Sequence, residues 1–163
     1  IDMRSFSNLW YWIVLAVLWS SASHWAMGVP YDLVSRARRI GGQAEQDLLD
    51  IVRINVNRLI YIVDVSGMVI LAFGCFFFTG LATLGFFYRI EFAQAVFLLL
   101  FPVSLVMLIN ISAARKLQRT EVGLDPVARI LTRCRIYTQI VGMISILITS
   151  LWGMYQNCSS GVL

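Results

Sequence analysis

Polar and apolar positions along this chain separate into long blocks instead of alternating. Four stretches carry no Asp, Glu, Lys or Arg: 5–31, 65–88, 92–114 and 136–163, of 27, 24, 23 and 28 residues. An α-helix rises about 1.5 Å per residue, so about 20 apolar residues cross a hydrocarbon core about 30 Å thick. Every block reaches that length. The pattern predicts an all-α membrane protein, with four transmembrane helices in one bundle over about 9–29, 65–88, 92–113 and 136–156. One domain, 1–163, accommodates them. The remaining residues fall mostly in linkers 32–64 and 115–135, and neither reaches the roughly 50 residues at which ordinary domains begin.

The linkers have their own periodicity. Span 1 ends near Met27-Gly28-Val29-Pro30, and Pro30 suits the first position of a new helix. Beyond it, Tyr31, Leu33, Val34 and Ala37 alternate with Asp32, Arg36, Arg38 and Arg39. That is a short interfacial helix, expected to lie apolar face down on the membrane with its arginines among the headgroups. Gly41-Gly42 ends it. No proline interrupts 43–88, so one helix should run from Gln43 through span 2, about 69 Å long and well past the bilayer. Span 3 extends through Arg115–Arg119, and a turn follows at Glu121-Val122-Gly123-Leu124. Asp125-Pro126 then reads as N-cap and first helical position of a helix continuing through Tyr155. Helices 2–4 are thus expected to extend on one side into a helical stub, arginine-rich with Glu45, Asp47 and Asp50 opposite.

Charge orients the arrangement. Of 13 basic residues, 11 lie in the two linkers, leaving Arg4 and Arg89 for the other side. The positive-inside bias places both linkers in the cytoplasm. It puts both termini and the 89–91 turn in the periplasm of a bacterial inner membrane, which the chain crosses several times. Trp10, Tyr11, Trp12, Phe87, Tyr88, Trp152 and Tyr155 fall at the outer ends, and Trp25, Tyr31, Tyr61 and Tyr137 at the inner ends. Two such belts are what interfacial partitioning produces. The isoelectric point of about 9.3 is explained by an anionic inner leaflet without nucleic acid. Arg36, Arg38, Arg39, Arg115, Lys116 and Arg119 are the expected contacts to anionic headgroups or to a partner.

Candidate chemistry is sparse. Polar residues within the spans gather in the cytoplasmic third, and His24, Asp64, Asn110 and Gln139 define a candidate layer. Asn110 and Gln139 come level in antiparallel helices, either as helix–helix glue or as a polar vestibule. Asp64 falls about one turn outside the hydrocarbon, as an interfacial carboxylate. The single histidine cannot supply a haem ligand pair or a metal set. Cys75, Cys134 and Cys158 share no ligand spacing and read as unpaired packing residues. Small residues at Gly142, Ser145, Thr149 and Gly153 in span 4, at Ala16, Ser20 and Ser23 in span 1, and at Gly67, Gly74, Gly80 and Gly85 in span 2 predict packing faces. Pro102 is a plausible kink in span 3. No nucleotide, metalloprotease, serine-hydrolase or C-x-x-C motif occurs. Neither catalytic residues, nor a cofactor, nor a metal are expected. The opening Ile1-Asp2-Met3 has no basic n-region, so a cleavable signal is not expected and the native start is expected upstream.

Phe6-Ser7-Asn8-Leu9-Trp10-Tyr11-Trp12, with Ser23-His24-Trp25 and Ala37-Arg38-Arg39, resembles a small family of inner-membrane proteins of purple alphaproteobacteria. Some of its members are labelled "component of SufBCD complex". The resemblance covers most of the chain without a catalytic motif, and implies a link to iron–sulfur cluster assembly. The residues themselves lead to a non-enzymatic membrane protein that self-associates or binds a partner membrane complex. The alternative is a small homo-oligomeric channel or transporter with a polar cytoplasmic vestibule.

Overall fold

The computed structural model describes residues 9–26, 28–120 and 123–160. Arg4, Phe6-Ser7-Asn8 and Glu121-Val122 of the expected turn lie outside them. Five α-helices make up nearly all of the described chain: α1 (Leu9–His24), α2 (Tyr31–Ile40), α3 (Gln43–Ala82), α4 (Glu91–Arg119) and α5 (Leu124–Ser160). Three segments, Gln43–Phe87, Glu91–Arg119 and Leu124–Cys158, are long and apolar enough to cross a membrane.

The first expected span, 9–29, is helical only through His24. At 16 residues, α1 is about 24 Å long, shorter than a hydrocarbon core. The apolar residues after it form a two-residue antiparallel pair, β1 (Trp25–Ala26) with β2 (Val29–Pro30). Two backbone constraints explain the stop. Gly28 sits at φ +74°, which side chains rarely adopt. Val29 precedes a proline and is driven extended. The Asn55 side-chain amide donates to the Gly28 carbonyl at 3.3 Å and ties the turn to α3.

Downstream, the glycine pair ends α2 as expected: Gly41 and Gly42 have φ of +65° and +56°, and the Gly41 amide closes the helix on the Ala37 carbonyl at 3.0 Å. Pro30 is the cap preceding α2, one position before the expected first turn. The apolar face of α2 is not left for the membrane, because Val34 and Ala37 are buried in a protein core. α3 runs without a break from Gln43 and closes in a π-turn, Thr83–Phe87, where the Tyr88 amide bonds the Thr83 carbonyl at 3.2 Å. Arg89, at φ 54°, and extended Ile90 reverse the chain into α4. α4 passes through Pro102 and ends at Arg119. α5 begins one residue before the expected cap, with the Val127 amide on the Gly123 carbonyl at 3.3 Å.

The main buried core lies at one end, hereafter the basic end. Leu48, Val52 and Val56, four residues apart and so on one face of α3, pack with Val34 and Ala37 of α2, Ala114 and Leu117 of α4, and Val127, Ala128, Leu131 and Cys134 of α5. The extensions of α3, α4 and α5 therefore form the expected stub. Toward the other, aromatic end the long helices lie as an open row. α1 rests on α5, α5 on α4 and α4 on α3, while α1 and α3 make no contact of similar extent. The most apolar part of α3 buries no residue. It touches α4 through Phe78, edge-on to Phe97 and Phe101.

The small-residue stripes divide. In α5, Gly142, Ser145, Thr149 and Gly153 are all buried. A Cβ on Gly142 would lie 2.8 Å from the Trp19 ring. On α1 the expected stripe is wrong by one face: Ala16 and Ser20 are exposed, and Tyr11, Leu15 and Trp19 are buried. Large α1 side chains fill the notch left by small α5 ones. Of the glycines in span 2, Gly85 alone meets a neighbouring helix, at Gln94, whereas a Cβ on Gly74 or Gly80 meets nothing within 4 Å.

Candidate functional site

At the basic end the stub core fixes which residues face outward. With Leu48, Val52 and Val56 turned in, Arg53 and Arg58 must turn out, and both are exposed. The same geometry exposes Arg36, Arg38 and Arg39 on α2 and Arg115, Lys116 and Arg119 on α4. All six expected cationic contacts therefore lie on the surface of one end. Arg135 differs. It is half-buried, its guanidinium carbon 4.1 Å from the centre of the Tyr31 ring, a cation–π contact joining α2 to α5.

The four residues of the expected polar layer do not converge. Asn110 is partly buried, its Oδ1 accepting from the Cys134 thiol at 3.1 Å. Gln139, expected to meet Asn110, is exposed, as are His24 and Asp64. Helix rotation explains why Gln139 is exposed. The α5 face toward the core carries Leu131, Cys134 and Thr138, and Gln139 lies about 100° round from Thr138. Level and helix face both differ from the expectation, since Asn110 meets Cys134, five positions or about 7.5 Å of helix from Gln139. Cys75 and Cys158 are exposed and Cys134 is buried, all three as free thiols.

Polar chemistry absent from the expectations sits at the aromatic end. Gln94 is 2% exposed, between buried Ala93 and Ala95. Its Nε2 donates to the Gly85 carbonyl at 2.7 Å. Its Oε1 accepts from Trp152 Nε1 at 3.0 Å and Gln156 Nε2 at 2.6 Å. The Tyr11 hydroxyl donates to the Ala95 carbonyl at 3.2 Å, bringing in α1. One amide thus joins the π-turn, α4 and α5. Phe86 seals it edge-on to Trp152 and Phe97. The signal was present in the sequence: a polar residue framed by two alanines, and Trp152 and Gln156 four apart on one helix face.

Among the described residues no three His, Cys, Asp or Glu side chains come together to hold a metal. The Gln94 amide serves helix packing through its bonds to the Gly85 carbonyl, Trp152 and Gln156. No family model matches the chain, and no curated protein or solved structure matches it either.

Proposed function

We propose that this chain is a four-span inner-membrane protein without catalytic activity, acting by self-association or by binding a partner membrane complex. In this reading the basic end is cytoplasmic and both termini are periplasmic. The observation that carries it is the stub: three long helices continue past their apolar lengths into a packed core whose outer surface is cationic. A protein that only needed to cross a bilayer has no use for those extra turns. Short α1 is read as the fourth span because it runs antiparallel beside α5. Tyr11 packs near Trp152, and Trp19 at Gly142, so α1 shares the depth of a helix long enough to cross.

A channel between protomers would draw its polar lining from His24, Asn110 and Gln139. Asn110 is already engaged by Cys134, which favours association over conduction. Cross-linking in native membranes and affinity capture of a tagged full-length chain test the proposal. A cross-linked oligomer or a stoichiometric partner is expected, an iron–sulfur assembly complex being the one the alphaproteobacterial resemblance implies. A monomer that captures nothing removes the reading.

A further inference from the structure

Between α4 and α5, where the stub meets the apolar lengths, a groove of about 510 Å³ opens to the surface. Its chemistry changes steadily along both helices. Lys116 and Arg133 stand at the basic end, Ser112 follows one turn in, and beyond it the walls include Leu105, Tyr137 and Val141. From cation to deepest apolar residue is 11 positions on α4 and 8 on α5, about 16 Å and 12 Å of helix. No Asp or Glu lines it, so the two positive charges at its mouth have no compensating charge within the groove. Its neighbours carry less net positive charge. The groove between α3 and α4 in the stub holds both Asp50 and Arg53, and the one beside Gly28 and Asn55 has Arg58 as its single charge.

We infer that this groove seats one anionic phospholipid, its phosphate between Lys116 and Arg133 and one acyl chain along Leu105, Tyr137 and Val141. Basic pockets between membrane helices on the cytoplasmic side bind anionic headgroups, and the apolar walls give the chain a protein surface in place of bulk lipid. Ser112 supplies a neutral donor at glycerol depth. A soluble phosphate would use only the mouth, and a zwitterionic lipid would bring an ammonium against two cations. The assignment rests on reading α4 and α5 as spans, and adds a defined ligand to the diffuse attraction expected of the outward arginines.

The test is native mass spectrometry of the detergent-purified full-length chain with phosphatidylglycerol or phosphatidylcholine of identical acyl chains. One phosphatidylglycerol per chain is expected to survive activation, and phosphatidylcholine is not. Lys116→Gln/Arg133→Gln should weaken retention about 30-fold, the effect of two cations at headgroup depth. Val141→Trp, which keeps both charges and fills the groove, should also displace the lipid and decides the matter if the double variant misfolds. Arg53→Gln/Arg129→Gln removes the same net charge elsewhere and should retain the lipid. Equal loss in that control, unchanged retention in the groove variants, or equal retention of both lipids overturns the seat. Carbonate extraction of membranes separates the two levels. A chain released by carbonate sinks the spanning reading and the seat with it, whereas a carbonate-resistant chain that holds no lipid sinks the seat alone.

Discussion

Gly142 shows how much one missing side chain decides. Trp19 occupies the space a Cβ would take, with ring atoms at 2.8 and 3.2 Å, and an indole cannot swing aside as the tip of a flexible chain can. Gly142→Ala is therefore expected to cost about 1–3 kcal/mol, the usual range for overpacking. Thermal unfolding in detergent micelles measures it, and pairing the substitution with Trp19→Leu should restore most of the loss. An unchanged midpoint in the single variant means α1 does not seat on α5 as described. Gln94 is the complementary lesson. Its identity was plain in the sequence, but its three hydrogen bonds come from residues 9, 58 and 62 positions away, and no local pattern reports such partners. The same limit misled the reading of Gln139, which is exposed and lies five positions along α5 from the Cys134 that Asn110 meets.

At the element scale, α3 contains two different environments in one uninterrupted helix. Its first half presents Leu48, Val52 and Val56 to a protein core, as a soluble helix does. Its second half leaves Met68, Phe73 and Phe76 exposed, at 83%, 71% and 79%, as suits a helix covered by hydrocarbon or by another protein. The stub is then the part held by the hydrophobic effect in water. Leu48 is fully buried there, and Leu48→Ala should cost about 2–5 kcal/mol. Limited proteolysis of membranes accessible from both faces would read this as faster cleavage near Gly41-Gly42, with the apolar lengths still protected. Cleavage at the wild-type rate would mean that the stub core does not hold the linkers. Boundaries legible in advance were those set by backbone chemistry: the Gly41-Gly42 break, the uninterrupted start at Gln43 and the run of α4 to Arg119. The end of α1 was missed because 25–30 is as apolar as a span, and hydropathy alone does not register a turn set by Gly28 and Pro30.

For the whole molecule, the open row of helices matters more than any single contact. Four helices in one bundle was the expectation; beyond the stub, the apolar half of α3 leans on α4 and buries no residue. In a bilayer that half faces lipid or another protein, which is where the proposed association would draw its surface. The proposed orientation also makes a strict topological prediction. If the proposed orientation holds, phosphatase fusions after Gly42 and after Gly123 are inactive, and fusions after Arg89 and at the C-terminus are active. Opposite reports from the two linker fusions would remove either α3 or α4 as a crossing helix and, with it, the placement of both linkers on one side.

Segregation of charge from apolar length was enough, by itself, to establish an all-helical chain with membrane-crossing lengths and both arginine-rich linkers at one end. Desolvating a charge in hydrocarbon is costly wherever the helix packs, so that constraint is written residue by residue. Which faces meet was decided only in three dimensions. Between apolar helices in lipid, association depends on close fit and a few hydrogen bonds. The notch at Gly142, the amide at Gln94 and the cationic groove between α4 and α5 therefore exist only once the helices are set beside one another.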